Sequence, residues 1–266
     1  MKNISSQKTL LPLRKLSFLT AALAVAFLAA ASAQADVVFD NMSNYEGGNT
    51  NSHVSATGST PNTFMGDGYV LAAGTTDITG FDIFPVNLSG TAYTGLRINI
   101  FVWGTVNTGT VAVGTPAFGS LLGSYTFDSA GTYTSGFFYP FEGSPVGSAP
   151  GVTLATPLAI SSTTVGISFN YQGTTDGVNY SSLNSLTSII QYGMTPTVGS
   201  QMFNGYYRNA ASEADGNFTS TLRSLGVANQ SLGLRVFGDV TPVPEPTTVA
   251  LLGGGAVLLF LRRRRA

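Results

Sequence analysis

Alternating apolar and polar positions recur through the middle of the chain, and this pattern predicts strands. The clearest example spans residues 95–104, where aliphatic residues occupy the even positions from 96 to 102. The odd positions hold Arg97, Asn99, Phe101 and Trp103. Because successive side chains of a strand point to opposite faces, this run predicts a strand with one aliphatic face and one mixed face.

Shorter segments with β-branched and aromatic residues predict about nine more strands. These segments are Val37–Asp40, Tyr69–Ala72, Ile78–Phe84, Leu121–Phe127, Thr134–Phe141, Val165–Tyr171, Ser188–Tyr192, Gln201–Tyr207 and Leu232–Phe237. Asp-Gly pairs, among them Asp67-Gly68 and Asp176-Gly177, act as turn signals between several of them. The pattern favours an all-β fold in which two antiparallel sheets form a jelly-roll-like sandwich.

The N-terminal end carries a continuous apolar run instead of alternation. Two basic residues precede the run at 16–30, and Ala33 and Ala35 stand at the positions that signal peptidase reads. Cleavage after Ala35 makes Asp36 the new N-terminus. A transmembrane anchor is the competing interpretation, but the run is short, rich in alanine and followed by the A-x-A site. The pattern therefore predicts a signal peptide over residues 1–35.

The C-terminal end combines three features in a fixed order. An extended motif, Val243, Pro244, Glu245 and Pro246, precedes an apolar stretch at 249–261. The chain then carries a basic block of Arg262, Arg263, Arg264 and Arg265. The prolines favour an exposed, extended segment. The arginines resist translocation, so we expect them to stop the chain at the cytoplasmic side of the membrane.

The apolar stretch predicts a short hydrophobic helix. It spans 13 residues, fewer than the roughly 20 needed to cross a bilayer, and it contains Gly253–Gly255. A temporary membrane stop is therefore favoured over a permanent C-terminal anchor, which remains the alternative.

This tail resembles the PEP-CTERM sorting signal of exported bacterial proteins. The resemblance implies processing by an exosortase, a membrane enzyme, in a bacterium that builds an exopolysaccharide matrix. The body, predicted to start after the signal peptide and to end before the tail, resembles the choice-of-anchor group of bacterial surface domains. The resulting organisation is a signal peptide at 1–35, a β-sandwich domain at 36–240 and a sorting tail at 241–266.

Charge and cysteine content exclude several classes of function. Between Asp36 and Val243 the chain has four arginines, no lysine and twelve acidic residues, which gives a formal charge of −8. Such an acidic domain repels phosphate backbones, which argues against nucleic-acid binding. The chain has no cysteine, so disulfides, thiolate nucleophiles and cysteine-based zinc sites are excluded.

Candidate catalytic chemistry is sparse, and the sequence predicts a protein that is not an enzyme. His53 is the single histidine and lies in a polar run typical of a loop. No Gly-x-Ser-x-Gly motif accompanies it. A glycoside hydrolase needs two acids at a fixed separation, and the domain has three glutamates, Glu46, Glu142 and Glu213. A secreted hydrolase is retained as a lesser alternative.

Two clusters offer binding chemistry. Asp40, Asn44 and Glu46 bring hard oxygen ligands together, which makes calcium the candidate cofactor, although turn chemistry explains the same residues. Arg97, Phe101 and Trp103 share one strand face and are candidate sugar contacts, because sugar rings stack on exposed aromatic rings. Packing of these aromatics in the core is the alternative interpretation.

The sequence thus favours an exported, non-enzymatic protein of the cell surface or extracellular matrix. Its expected partners are signal peptidase, an exosortase-type enzyme and an exopolysaccharide. A lectin-like carbohydrate-binding module is the alternative function. The expected route passes through the inner membrane, where the tail holds the protein transiently.

Overall fold

The computed structural model describes residues 36–43, 50–52, 62–107, 116–182, 186–191, 195–210, 217, 222 and 229–241. Within these residues the secondary structure is all-β, without a helix, as predicted. No described helix is therefore long and apolar enough to cross a membrane. The predicted signal peptide and the predicted C-terminal hydrophobic helix lie outside the described residues.

Sixteen strands follow one another along the described part of the chain. They are β1 (Asp36–Asp40), β2 (Thr50–Ser52), β3 (Asn62–Val70), β4 (Asp77–Ile83), β5 (Pro85–Asn87), β6 (Tyr93–Trp103), β7 (Leu121–Tyr133), β8 (Phe137–Phe138), β9 (Val152–Ala159), β10 (Thr164–Thr174), β11 (Ser181–Ser182), β12 (Leu186–Gln191), β13 (Ser200–Gln201), β14 (Tyr207–Ala210), β15 (Ser231–Leu232) and β16 (Leu234–Gly238).

The strands form three sheets in which neighbouring strands are antiparallel. A four-stranded sheet has the order β1-β16-β4-β9. A seven-stranded sheet runs β13-β3-β10-β6-β7, with β11 on β10 and β14 on β3. A five-stranded sheet runs β15-β12-β5-β8, with β2 on β12. The antiparallel arrangement predicted from the short strands is thereby confirmed.

The largest cluster of buried apolar side chains takes residues from the four-stranded and the seven-stranded sheet. Phe81 and Val236 come from the four-stranded sheet, and Ile98 and Phe169 from the seven-stranded sheet, all with no exposed surface. The strand predicted over 95–104 is β6, and its aliphatic residues at even positions from 96 to 102 are buried as the alternation requires. Burial of this aliphatic face supplies the main driving force for sheet packing.

A second cluster lies at the other face of the seven-stranded sheet and is aromatic. Phe64, Trp103, Phe118 and Tyr207 are its large buried members. The Trp103 and Phe118 rings stack with centroids 6.0 Å apart, and Tyr207 meets Phe118 edge-on at 5.6 Å. On the mixed face of β6, Trp103 at the C-terminal end is therefore buried by aromatic packing, whereas Arg97 and Asn99 nearer the N-terminal end are half exposed.

Three local predictions are wrong. Asp67-Gly68 is not a turn but lies inside β3. Of the strand predicted over Thr134–Phe141, Phe137–Phe138 alone forms β8, and the strand predicted over Gln201–Tyr207 is extended at its two ends alone. The sequence analysis also missed β9, whose apolar residues alternate poorly.

Candidate functional site

Arg235 lies between two aspartates in a row that crosses three strands of the four-stranded sheet. In the register of β16, Arg235 pairs with Asp40 of β1 on one side and with Asp82 of β4 on the other. Side chains directly opposite one another across antiparallel strands share a face and approach within contact distance. Sheet register therefore places two carboxylates against one guanidinium.

Close contacts join the members of this row. Arg235 Nε lies 3.2 Å from Asp40 Oδ2, and Arg235 Nη1 lies 2.5 Å from Asp82 Oδ2. A third carboxylate, Glu142 Oε2, lies 3.7 Å from the same Nη1. The Arg235 side chain is 2% exposed and Asp82 is 0% exposed, whereas Glu142 is 28% exposed. We call these four residues the Arg235 cluster.

Backbone hydrogen bonds fix the two aspartates of the cluster. Asp40 Oδ1 accepts hydrogen bonds from the N–H groups of Met42 at 2.7 Å and Ser43 at 3.0 Å. The Ser43 hydroxyl donates to Asp40 Oδ2. Asp82 Oδ1 accepts a hydrogen bond from the Gly151 N–H at 2.7 Å. The carboxylates are thus held by the chain itself as well as by Arg235.

Burial and charge oppose one another in the cluster. Burial raises the pKa of Asp82, although hydrogen bonds from Gly151 and Arg235 act in the opposite direction. Burial also raises the pKa of Glu142, and the negative charge of Asp82 adds to the shift. For Arg235, burial would lower the pKa, but the charges and hydrogen bonds of Asp40 and Asp82 outweigh it and raise the pKa. Three carboxyl groups thus surround one guanidinium, and burial disfavours the charged form of two of them, Asp82 and Glu142.

A small cavity opens beside the cluster. Its volume is about 240 Å³, and it is lined by Met42, Ser43, Phe84, Phe138, Glu142, Val146 and Arg235. Sites that hold drug-sized ligands usually measure about 300 to 1,000 Å³. Glu142 can reach this cavity, but Asp82 is 0% exposed and engaged by Arg235. A ligand in the cavity would contact Glu142, whereas chemistry that uses two carboxylates would also require a substrate to reach Asp82.

Outside the Arg235 cluster, another buried acid, Asp67, lies on β3 with no exposed surface. Its Oδ1 accepts a hydrogen bond from the Gly68 N–H at 2.7 Å, and its Oδ2 accepts one from the Leu232 N–H at 3.3 Å. Burial raises the pKa of Asp67 well above its ordinary value despite these bonds and the Ser231 side chain. Folding therefore favours the protonated acid at this position.

We expect Asp67 to make the protein less stable as the pH rises. A group whose pKa is raised by folding contributes stability that is complete below the unfolded pKa near 4 and is lost as the pH rises through the folded pKa. Between the unfolded and the folded pKa of Asp67, the free energy of unfolding should fall by about 1.4 kcal/mol per pH unit. Asp67→Asn, which mimics the protonated acid, should remove this contribution.

Urea unfolding of wild type and Asp67→Asn at pH 5, 6, 7 and 8 measures the effect. The difference between the two proteins isolates Asp67, because Asp82 and Glu142 titrate in both. Parallel stability curves for the two proteins would show that the Asp67 pKa is unperturbed.

The candidate sugar contacts do not share one environment. Arg97 forms a two-point ion pair with Asp128 of β7, at 2.6 and 2.7 Å, and lies 4.2 Å from the centroid of the Tyr180 ring. Phe101 is half-buried against the aromatic cluster. Trp103 is 4% exposed, and its indole N–H donates to Ser168 Oγ. A sugar contact at these residues stays a prediction, and Trp103 would have to leave its cluster to take part.

Of the three candidate calcium ligands, the structure describes Asp40 alone. Asp40 belongs to the Arg235 cluster, and both of its oxygens are engaged there. Asn44 and Glu46 lie outside the described residues, as does His53. The described ranges contain no group of three or more His, Cys, Asp or Glu side chains placed to hold a metal ion. Calcium binding stays a prediction.

The predicted targeting residues lie outside the described part of the chain, with one exception. Ala33, Ala35, the motif at 243–246 and the arginines at 262–265 are outside it. Asp36, the predicted new N-terminus, is the first residue of β1. The cleavage site therefore stays a prediction.

Sequence reasoning missed the Arg235 cluster. It predicted a single strand over 232–237, which the structure divides at Gly233 into β15 and β16 of different sheets, and it did not assign a partner to Arg235. A usable signal was present, because Arg235 is a lone charge inside an apolar strand and a buried guanidinium requires carboxylates. The sequence does not indicate which of the twelve acids between Asp36 and Val243 would supply them.

Comparison with known families gives one match, at the C-terminus. Residues 242–265 match the family model described as the PEP-CTERM protein-sorting motif. Neither the curated proteins nor the solved structures gave a match. The resemblance of the tail is therefore confirmed, whereas the resemblance of the body to choice-of-anchor domains stays a prediction. The motif implies an exported protein that is targeted to an exosortase and processed at the membrane.

Proposed function

We propose that this chain is a non-enzymatic protein of the bacterial surface or extracellular matrix. In this proposal it is sorted through its tail and associates with exopolysaccharide. The observation that carries the proposal is the sorting motif at residues 242–265. Signal peptidase removes residues 1–35, the tail at 241–266 holds the chain transiently in the inner membrane, and the exosortase acts at the Pro-Glu-Pro segment. Residues 36–240 are the delivered domain.

The delivered domain is, in this proposal, a jelly-roll-like sandwich of antiparallel sheets. Support comes from the large core cluster, to which strands of the four-stranded and the seven-stranded sheet both contribute. β16 ends at Gly238, close to the start of the tail. A rigid domain of this kind needs no disulfide, since a chain of about 200 residues buries enough apolar surface to fold.

The arrangement of the buried carboxylates supports a role other than catalysis. Glycoside hydrolysis needs two carboxyl groups that both face the substrate. In the Arg235 cluster, Asp82 is fully buried and paired with Arg235, and the neighbouring cavity is small. The cluster is better suited to stabilise the sheet, and a secreted glycoside hydrolase remains the lesser alternative.

A lectin-like module is the second candidate function, and one surface favours it. Opposed residues of β6 and β7 form a row of polar side chains on the half-exposed face of the seven-stranded sheet. Arg97 and Asp128 form one pair, and the Thr126 hydroxyl donates to Asn99 Oδ1 at 2.8 Å in the next. Together with the Tyr180 ring, these groups offer the hydroxyl-binding and stacking chemistry that sugars require.

Fractionation of the native matrix tests these proposals. We expect the protein to sediment with exopolysaccharide and to be released when the polysaccharide is digested. Arg97→Ala should keep this behaviour if the tail delivers the protein and the surface row is not essential, whereas the lectin-like alternative predicts that most of the bound fraction is lost. Thr153→Ala on β9 is the matched control.

A wild-type protein found wholly outside the polysaccharide fraction would contradict both matrix proposals. New reducing ends on the polysaccharide after incubation with pure protein would indicate the hydrolase.

A further inference from the structure

β7 is a long strand at an edge of the seven-stranded sheet. It spans 13 residues, Leu121–Tyr133, and among the described strands it is paired with β6 alone. A strand with one neighbour presents a row of backbone N–H and C=O groups on its other side. Within the described residues no backbone hydrogen bond reaches that outer side from another strand.

Other edge strands in the described part of the chain are short or protected. β9, at the edge of the four-stranded sheet, contains Pro157 and a register shift opposite Ile78 and Gly80. β1 has a register shift after Val37, and its end is covered by a bridge from Asp40 to Val198. β8, β11, β13 and β15 have two residues each. Short length, proline and bulges are the usual means of preventing edge-to-edge pairing.

The middle of β7 has none of these protections. The strand contains no proline and no lysine, and the register shifts in its pairing with β6 lie near its two ends, between Tyr93 and Gly95 and between Val102 and Trp103. Between them the pairing is regular over eight consecutive pairs from Gly95–Ala130 to Val102–Gly123. Its single charge, Asp128, is compensated by Arg97 of the neighbouring strand. The middle of the edge is consequently regular in its pairing and locally neutral, in a domain that carries a formal charge of −8 between Asp36 and Val243.

The side chains of β7 also show that the core is incomplete at this edge. Tyr125 and Phe127 pack against the main core but remain half-buried. Their neighbours on β6, Ile100 and Ile98, have no exposed surface. Another strand beside β7 would cover the two aromatic rings and satisfy the outer backbone groups.

We propose that β7 pairs antiparallel with β7 of a second copy, so that two seven-stranded sheets join into one continuous sheet. The two-fold axis lies near Thr126, close to the middle of the strand, so that Thr126 faces Thr126 of the second copy. Acidic copies repel one another over most of their surface, and this neutral strand is where they approach at least electrostatic cost. In this register Ser124 faces Asp128 of the second copy, and Tyr125 faces its Phe127. This self-association is independent of whether the matrix contains polysaccharide.

Sedimentation of the exported protein recovered from its native host tests the proposal. Between about 1 and 100 μM, where small interfaces associate, the wild type should shift from monomer to dimer. Thr126→Glu should raise the dissociation constant about ten-fold or more, because it places the two new negative charges opposite each other at the two-fold axis. An equimolar mixture of Thr126→Glu and Thr126→Lys proteins should recover association relative to Thr126→Glu alone.

Matched controls separate this effect from misfolding. Thr153→Glu makes the same change at an exposed threonine of β9 and should leave association at the wild-type level. Because the chain has no cysteine, Thr126→Cys and Thr153→Cys allow site-specific crosslinking with a short bismaleimide, and dimers should form with Thr126→Cys alone. A monomeric wild type over the whole range, equal association of the two Glu variants, or occupation of β7 by a different protein would overturn the proposal.

Discussion

Replacing Glu245 with alanine is expected to stop processing of the tail and leave almost all of the protein with its C-terminus intact. Glu245 is the single charge in the Pro-Glu-Pro segment, and the flanking prolines hold that segment extended where an enzyme can read it. The described strands end at Gly238, so the change should not affect their folding. Mass spectrometry of the C-terminus in membrane and released fractions measures the result.

Replacing the arginines at 262–265 with serine should produce a different defect. Without the positive charges, the short apolar stretch no longer stops translocation, and the chain should pass through the membrane unprocessed. Glu213→Ala removes the same charge as Glu245→Ala but outside the motif, and it should be processed as wild type. If every variant, including wild type, ends at Ala266, the tail is a plain anchor and the sorting proposal is wrong.

Replacing Arg235 with methionine should be the most damaging single change in the folded domain. The substitution keeps the length of the side chain but leaves Asp40, Asp82 and Glu142 without their shared cation. Removing one partner of a buried ion pair costs about 3 to 5 kcal/mol, a large part of the roughly 5 to 15 kcal/mol that keeps a domain folded. Urea unfolding at pH 7 measures the loss.

Arg97→Met is the matched control for this experiment. Arg97 forms a two-point ion pair with Asp128, but the two side chains are 34% and 45% exposed, so water solvates the charge that remains. Its loss of stability should be far smaller. In Arg235→Met the loss should also shrink toward pH 4 to 5, because the stranded carboxylates become protonated. Equal losses at the two arginines would mean that burial of the Arg235 cluster does not matter energetically.

Local pattern was sufficient where a segment's structure depends on its own residues. The strand at 95–104 was predicted because aliphatic residues at alternate positions make one continuous apolar face, and β6 has that face buried. The tail can be identified from sequence because its motif, apolar stretch and arginines follow one another along the chain. Their order does not depend on contacts with distant residues. Asp176-Gly177 is a turn as predicted, with Gly177 at a φ of 77° and Asp176 accepting hydrogen bonds from residues 178 and 179.

The same dipeptide at Asp67-Gly68 wrongly predicted a turn, because the residues packed around it, and not its own preference, determine its backbone conformation. Both residues lie within β3, where the Asp67 carboxylate accepts hydrogen bonds from Gly68 and from Leu232 far along the chain. Gly68 is needed for space, since a Cβ there would lie 2.9 Å from the Phe203 ring. Contacts with distant residues therefore keep Asp67 and Gly68 in a strand, although the dipeptide alone favours a turn.

By itself the sequence determined the all-β class, the apolar face of the strand at 95–104 and the sorting tail, because each follows from the order and period of neighbouring residues. Tertiary structure alone decided that Arg235 meets Asp40 and Asp82, and that β7 is left at an edge. Arg235 and Asp82 are 153 residues apart, and sheet register rather than sequence spacing aligns them. Strand order is likewise set by how the buried faces fit together, and one strand's sequence cannot specify which strand will lie beside it.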